Sequence, residues 1–310
     1  MSRVVSVVTG SSNSGRACLA KLGASPSSVG SSLSLRACFR SEERAAEFRR
    51  DEPCAASADV RVGVDAADPA SLRAALEGSH TAVIVTPLDH ARGFGQDAEM
   101  SIAMVRAALD AGAQRLVHVG SWTTKAPAAM PGLAGRFLAT ERFLAEEVGD
   151  AAQWAVLRGG YFAGNLVPLF GAALREGGDS VLRFPPVRCA PVDARDIGEA
   201  AAALCAADDE AFGAAHHGKF IECCGPHMLG FGEVAEALGA ALGRELTHEP
   251  MAVEAWCEGK PPPMQELLRY MHAEQEAAVP FEQDGAFARL LGREPTSVAQ
   301  WASEHARAFQ

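Results

Sequence analysis

Apolar and polar residues follow two rhythms along the first half of this chain. Short apolar runs at 4–8, 33–39, 60–64, 81–86, 115–119 and 154–158 are rich in Val, Ile and Leu. Runs of that length without alternation read as strands buried on both faces. Between them, stretches at 17–22, 43–50, 69–76, 96–111 and 136–147 carry apolar residues at helical spacing. Asp68 before Pro69 is an N-cap followed by a proline at the first helical position. Gly78 and Gly112 mark helix ends. Buried strands alternating with amphipathic helices predict an α/β fold with a doubly wound parallel sheet, Rossmann-like because crossovers are right-handed. The Ser/Gly/Pro-rich stretch 23–34 reads as a surface loop between the first helix and the second strand.

Beyond residue 160 the strand rhythm fades. Helical patterns follow at 197–207, 231–242, 253–258, 263–277, 284–291 and 297–308, and Pro261 to Pro263 set a rigid turn before the fourth. The expected organisation is a nucleotide-binding domain over 1–160, its sheet completed by later strands, and a smaller, mainly helical C-terminal lobe over 161–310. A ligand cleft would then lie at the carboxyl ends of the strands, between the two parts.

Charge narrows the partners. The 310 residues carry a formal net charge of −11, which opposes nonspecific binding to nucleic acid or to anionic membranes. No apolar run approaches the ~20 residues of a membrane span, and the chain enters a strand almost at once. The expectation is a cytoplasmic protein, a monomer or homodimer, acting on a small-molecule substrate without nucleic acid or membrane. The eight cysteines are scattered and form no C-x-x-C pair, a pattern of free buried thiols in a reducing compartment.

The first turn holds the most specific chemistry. An apolar run ends at Thr9-Gly10, small residues Ser11, Ser12, Asn13, Ser14 and Gly15 follow, and a helix starts. A helix N-terminus offers unpaired N–H groups and partial positive charge to a pyrophosphate, and small side chains let it approach. The usual glycine spacing falls on Gly10, Asn13 and Arg16, with Gly15 one place early. The second strand ends in Arg40-Ser41, with Arg44 one helical turn on. A guanidinium and a hydroxyl there suit a ribose 2′-phosphate, and so NADP(H) over NAD(H). Asp65 ends the third strand, where it could accept from an adenine amino group or simply start the next helix. Thr86-Pro87 end the fourth strand, and Ser121-Trp122 the fifth.

These features, with 65–72, 114–119, Leu157-Arg158-Gly159-Gly160-Tyr161-Phe162-Ala163-Gly164-Asn165-Leu166 and Pro191-Val192-Asp193-Ala194-Arg195-Asp196-Ile197, resemble the NmrA-like family of atypical short-chain dehydrogenases/reductases over essentially the whole chain. The tail is similar to ergot-alkaloid dehydrogenases of the festuclavine/agroclavine type. The resemblance implies a Rossmann-like fold and NADP(H). It implies that Thr9, Gly10 and the Ser11–Gly15 turn hold the pyrophosphate and Arg40 the 2′-phosphate. Thr86, Pro87 and Ser121 would lie along the nicotinamide ribose, and Tyr161, Phe162 and Asn165 beside nicotinamide and substrate, with Trp122 on the substrate side.

The departures matter as much. Ordinary short-chain dehydrogenases use a Tyr-x-x-x-Lys pair as acid. Here Tyr161 is followed at that spacing by Asn165 and Tyr270 by Glu274, and no lysine lies between 126 and 195. The family's lysine four residues before a helical glutamate is Phe137, counting back from Glu141. Three alternatives stand: a proton from Ser121, Tyr161 or water; a cationic acceptor such as an iminium, needing no acid; or a non-catalytic NADP(H) sensor. The leading expectation is an NADPH-dependent reductase of an iminium, quinone or enone. His118 and His90 are further candidate donors, although His118 sits in a buried strand. His216, His217 and His227 near Cys223-Cys224 lack zinc-like spacing, so no metal is expected.

Overall fold

The computed structural model describes residues 2–24, 33–87, 96–125, 133–176, 180–276, 281 and 283–310. Strands and helices alternate from the start: β1 (Arg3–Val7), α1 (Asn13–Ala24), β2 (Leu33–Phe39), α2 (Glu42–Asp51), β3 (Asp59–Val62), α3 (Pro69–Leu76) and β4 (Thr81–Val85). Then come α4 (Asp97–Asp110), β5 (Arg115–Ser121), α5 (Leu133–Arg142) and β6 (Gln153–Gly159), with α5 running on into a π-helical stretch, Phe143–Val148. Asp68 caps α3 by accepting from the Ala70 N–H, with Pro69 behind it.

The second half contributes α6 (Leu166–Glu176), β7 (Val181–Phe184), β8 (Arg188–Cys189), α7 (Ala194–Ala206), α8 (Asp209–Ala215) and β9 (Lys219–Cys223). It ends with β10 (Leu229–Gly230), α9 (Phe231–Leu242), β11 (Thr247–Pro250), α10 (Val253–Cys257), α11 (Pro262–Glu276), α12 (Ala286–Leu291) and α13 (Val298–Glu304).

The main sheet has seven strands in the order β3-β2-β1-β4-β5-β6-β9, every pair parallel. The strand order reverses between β1 and β4, so the connections leave in opposite directions there and open a crevice at the carboxyl ends. The sheet is completed by β9, from beyond residue 160. The C-terminal lobe is not wholly helical. It also holds a parallel pair, β7 with β11, and an antiparallel pair, β8 with β10, too short to show a strand rhythm in sequence.

Side-chain alternation divides the sheet's two faces. Val5, Val7, Val117, Val119, Ala155 and Leu157 point to one layer with α1, α2 and α7. Leu116, Trp154 and Val156 point to the other, against α3, α4 and the π-helical stretch. A third cluster, with Phe170, Phe184, Phe231, Trp256 and Trp301, is the lobe's own core.

A close helix–helix contact joins the two parts. A Cβ added to Gly198 of α7 would lie 2.5 Å from Ala17 Cβ, 2.6 Å from the Ser14 carbonyl oxygen and 2.7 Å from the Cys18 nitrogen of α1. Only glycine allows the two helices to sit so close. The far end of α7 is fixed by buried cations. Arg115, fully buried on β5, donates to the carbonyls of Leu204 (2.9 Å), Ala207 (2.8 Å) and Asp208 (3.1 Å) and pairs with Asp209 at 2.7 Å. The Leu204 and Ala207 carbonyls are among those that the end of α7 leaves unpaired. Near its start, buried Asp196 accepts from Arg293 (2.6 Å), from the Thr296 N–H (2.6 Å) and from the Thr296 hydroxyl (3.0 Å). Thus the Pro191–Ile197 segment anchors the chain's tail to the layer of α1, α2 and α7.

Gly198→Ala is expected to overpack the α1–α7 contact at a cost of about 1–3 kcal/mol. A denaturant midpoint equal to that of the wild type would refute the claim that this contact is at its limit.

Candidate dinucleotide and substrate cleft

The turn after β1 is built by its own hydroxyls. Thr9 Oγ1 donates to the Val85 carbonyl (3.2 Å) and accepts from the Val85 N–H (3.0 Å), clamping the ends of β1 and β4 together. Ser12 Oγ donates to the Thr9 carbonyl (2.8 Å) and accepts from the Gly15 N–H (3.1 Å), capping α1. A Cβ on Gly15 would meet the Thr9 carbonyl oxygen at 2.5 Å and Ser12 Oγ at 2.7 Å. Gly15 is therefore the glycine that the turn needs for close helix–strand packing, one place earlier than the usual spacing. Asn13 and Ser14 begin the helix, and their N–H groups have no acceptor among the described residues. That pair of unsatisfied donors at a helix N-terminus fits a pyrophosphate.

A cleft of about 1140 Å³ opens above this turn. At one end it is lined by Arg40, Ser41 and Arg44 after β2 and by Asp65 after β3. In the middle lie Thr9, Ser11–Ser14, Thr86 and Pro87, with Met100 and Met104 of α4 opposite. At the other end stand Phe162, Asn165 and Val167 after β6, Asp193–Arg195 at the start of α7, and Trp301 and His305 from the tail. Thr9, Ser12, Asn13, Ser14, Arg40, Asp65, Thr86 and Pro87, all expected along the cofactor, therefore face one continuous space, while Gly15 is not part of its lining. Gly10 lies behind the lining. It donates from its N–H to the Cys38 carbonyl (3.0 Å), and a Cβ there would press on the Phe39 ring at 3.2 Å.

Arg16, at the third position of the usual glycine spacing, also lines the cleft. Its side chain turns to the end of α2, bonding Glu52 at 2.6 Å and Asp51 at 3.2 Å. Ser41 caps α2 by accepting from the Arg44 N–H at 3.4 Å, and Arg44 pairs with Glu47 at 2.8 Å. Asp65 accepts from the Ala67 N–H at 2.9 Å, so it starts a turn as well as facing the adenosine end.

Three expected residues lie elsewhere. Ser121 and Trp122 are absent from the described lining. The Ser121 hydroxyl accepts from the Thr123 N–H (3.2 Å) and the Thr123 hydroxyl (2.9 Å), which turns it into its own loop. Tyr161 packs against the lobe's core instead of facing the cleft. Its buried hydroxyl has no hydrogen-bond partner among the described residues, and burial holds it well above the ordinary phenol range. Neither position supports the expected donor role. His90 lies outside the described residues.

The other departure has a structural counterpart. Glu141, 3% exposed, is gripped at both oxygens by Arg158 of β6 (3.0 and 2.7 Å) and accepts from the Thr124 hydroxyl (3.0 Å). Arg158 also reaches Glu222 at 3.2 Å. The glutamate that lacks its lysine is thus neutralised by a guanidinium from the neighbouring strand. His217 is structural, accepting from the Trp154 N–H (3.2 Å) and facing Asp150 (3.2 Å). His118 is buried beneath the cleft with Nε2 3.4 Å from the Thr86 hydroxyl, and burial lowers its pKa from 6.5 to about 4.

Residues reached without a sequence signal are Met100, Met104, Arg195, Trp301 and His305. Trp301 and His305 are four apart, so they share one face of a helical turn, but nothing in the pattern told which element that face meets.

Comparison with known proteins agrees with this geometry. Residues 10–156 match a family described as NAD(P)H-binding. An NAD(P)H azoreductase of Xenophilus azovorans is 28% identical over 285 residues, 89% of this chain and 91% of that protein. The crystal structure of Citrobacter sp. triphenylmethane reductase complexed with NADP(H) superposes with a TM-score of 0.77 at 19% identity, covering 98% of this chain and 99% of that one. NmrA, a negative transcriptional regulator solved with NAD, gives 0.75 at 17% identity, covering 98% and 95%. This chain shares the Rossmann-like fold of these proteins, and its residues 10–156 resemble the NAD(P)H-binding family.

His118 gives the fold a pH signature. Its folded pKa lies below its unfolded value, so the unfolded chain takes up a proton first as pH falls. The stability it supports is complete above about pH 6.5 and declines toward pH 4, by roughly 3 kcal/mol in all. Urea unfolding between pH 4 and 7 should show that slope reduced in His118→Asn. An unchanged slope would overturn the assignment.

Proposed function

With a Rossmann-like fold and a resemblance to the NAD(P)H-binding family as the premise, we propose that this protein is an NADPH-dependent reductase of a small, planar organic acceptor of the iminium, quinone, enone or azo type. The observation that carries this reading is the continuity of the cleft, from Arg40 and Ser41, past the free N–H groups of Asn13 and Ser14, to Phe162 and Asn165. Bound NADPH supplies hydride. The chain's own residues bind and orient: Arg40 and Ser41 at the 2′-phosphate, the α1 N-terminus at the pyrophosphate, and Thr86 and Pro87 along the ribose. Phe162 and Val167 give the acceptor an apolar wall that excludes water. The azoreductase and triphenylmethane reductase likenesses support reduction of extended conjugated molecules, and the first also supports the azo type.

A second reading, a non-catalytic NADP(H) sensor, draws on the positions of Ser121 and Tyr161 off the cleft. Turnover separates the two. Loss of NADPH absorbance should be seen with at least one class among quinones, enones, iminium ions, azo dyes and triarylmethane dyes. NADPH binding with no oxidation against any of them would favour the sensor.

The cofactor preference has its own test. Arg40→Ala should weaken NADPH binding by about 10- to 100-fold, the scale of one charge-assisted hydrogen bond, and leave NADH nearly unchanged. Equal losses for the two, followed by NADPH fluorescence, would remove the 2′-phosphate role from Arg40.

A further inference from the structure

The tail residue His305 stands in the half of the cleft where an acceptor would meet hydride. Two arginines hold the tail on either side of it. Arg195 of α7 pairs with Glu304, and Arg175 of α6 donates to the Ala308 carbonyl. The tail around His305 is therefore held between the start of α7 and the end of α6, the helices that carry Arg195 and Val167, both of which line the cleft. The imidazole is fixed in orientation too. It stacks on Trp301 with ring centroids 4.6 Å apart and planes 14° from parallel. Its Nδ1 lies 2.8 Å from the Trp301 carbonyl oxygen. A carbonyl only accepts, so Nδ1 carries a proton in either charge state. Nε2 is left as the nitrogen that gains and loses one.

Nothing else in the described lining offers such a group. It contains no lysine and no tyrosine, and its carboxylates Asp193, Glu43, Glu52 and Asp65 are acceptors when ionised. The charged groups around His305 are Glu304 on its own helix and Arg195 with Asp193 on α7. Arg175 of α6, on the Ala308 carbonyl, adds a second guanidinium on the other side of the tail.

We propose that His305 is the proton donor that replaces the absent Tyr-x-x-x-Lys pair, acting from Nε2 on acceptors that become anions when reduced. This rests on the reductase reading above. With an azo acceptor the balance is simple. Hydride from NADPH bonds to one nitrogen, and the N=N π pair moves to the other nitrogen. That pair takes the Nε2 proton, which leaves a hydrazo product, NADP⁺ and neutral His305. Solvent then reloads the imidazole. A triarylmethyl cation takes hydride to a neutral product and needs no proton, so His305 has no task there.

The two dye classes make the test. His305→Gln should lower kcat for an azo dye by about 100-fold or more while turnover of a cationic triarylmethane dye stays within about threefold of wild type. NADPH affinity by fluorescence should not change. Imidazole added to His305→Ala should restore part of the azo rate only. In the wild-type protein without cofactor, ¹⁵N NMR at a pH where His305 is neutral should show the Nδ1–H tautomer. Equal losses with both dyes would assign His305 a structural role, no loss with either would remove it from the chemistry, and the Nε2–H tautomer would overturn the geometry. Failure of the wild type to oxidise NADPH with any acceptor would instead defeat the reductase reading itself.

Discussion

The close approach of α7 to α1 at Gly198 is the constraint on which the cleft depends. Helix α1 presents its N-terminus to the cofactor, and its position is set by what packs behind it. Helix α7 performs that task and three others. Its C-terminal carbonyls sit on Arg115, its buried Asp196 holds Arg293 and Thr296, and its first turn carries Asp193 and Arg195 into the cleft. One helix thus fixes the turn at the α1 N-terminus, one wall of the cleft and the path of the tail. A shift of α7 would move all three together, because packed interiors transmit displacement and do not absorb it.

Around that frame the chain handles its missing residues by local substitution. Gly15 takes over the packing role from the usual third glycine position, and Arg16, which occupies that position, is drawn off by Glu52 and Asp51. Glu141 would be a buried unpaired carboxylate without its lysine, and the bidentate Arg158 removes that cost. The replacement is not equivalent. Arg158 is bound to Glu141 and Glu222 at once, so its charge is spent in holding Thr124 and the loop after β5, with none left to lower the pKa of a tyrosine.

The first half of the fold was legible because each of its signals is local. Continuous apolar strands, the Asp68-Pro69 cap and the Thr9–Gly15 turn each declare themselves within a few residues. The cofactor end of the cleft was legible for the same reason: Arg40, Asp65 and Thr86 follow directly from strand ends. The reacting end was not. Which way the Tyr161 ring turns depends on the lobe packed around it, and the turn of the Ser121 hydroxyl depends on Thr123. Trp301 and His305 enter only because Asp196 and Arg195 draw a segment about a hundred residues away in sequence onto α7. Pairings at that separation leave no periodic trace. The short strands β7, β8, β10 and β11 were missed because two to four residues cannot establish a period.

Electrostatics then decides how an acidic chain accepts an anionic dinucleotide. The arginines at the adenosine end are already partnered: Arg16 by Asp51 and Glu52, and Arg44 by Glu47. The Arg44 pair is largely exposed and the Arg16 pairs are half-buried, and exposed ion pairs contribute little because water screens them and long side chains lose freedom in forming them. A phosphate dianion at the end of β2 offers the same guanidinia a doubly charged partner with three acceptor oxygens. The carboxylates can be surrendered cheaply, and they return to water when they are. These ion pairs also keep the arginines from repelling one another. At the other end Asp193 and Glu304 pair with Arg195, and the apolar wall of Phe162 and Val167 stands beside them. A cationic acceptor there would take hydride without building charge against the protein, whereas a neutral one would become an anion and need a proton.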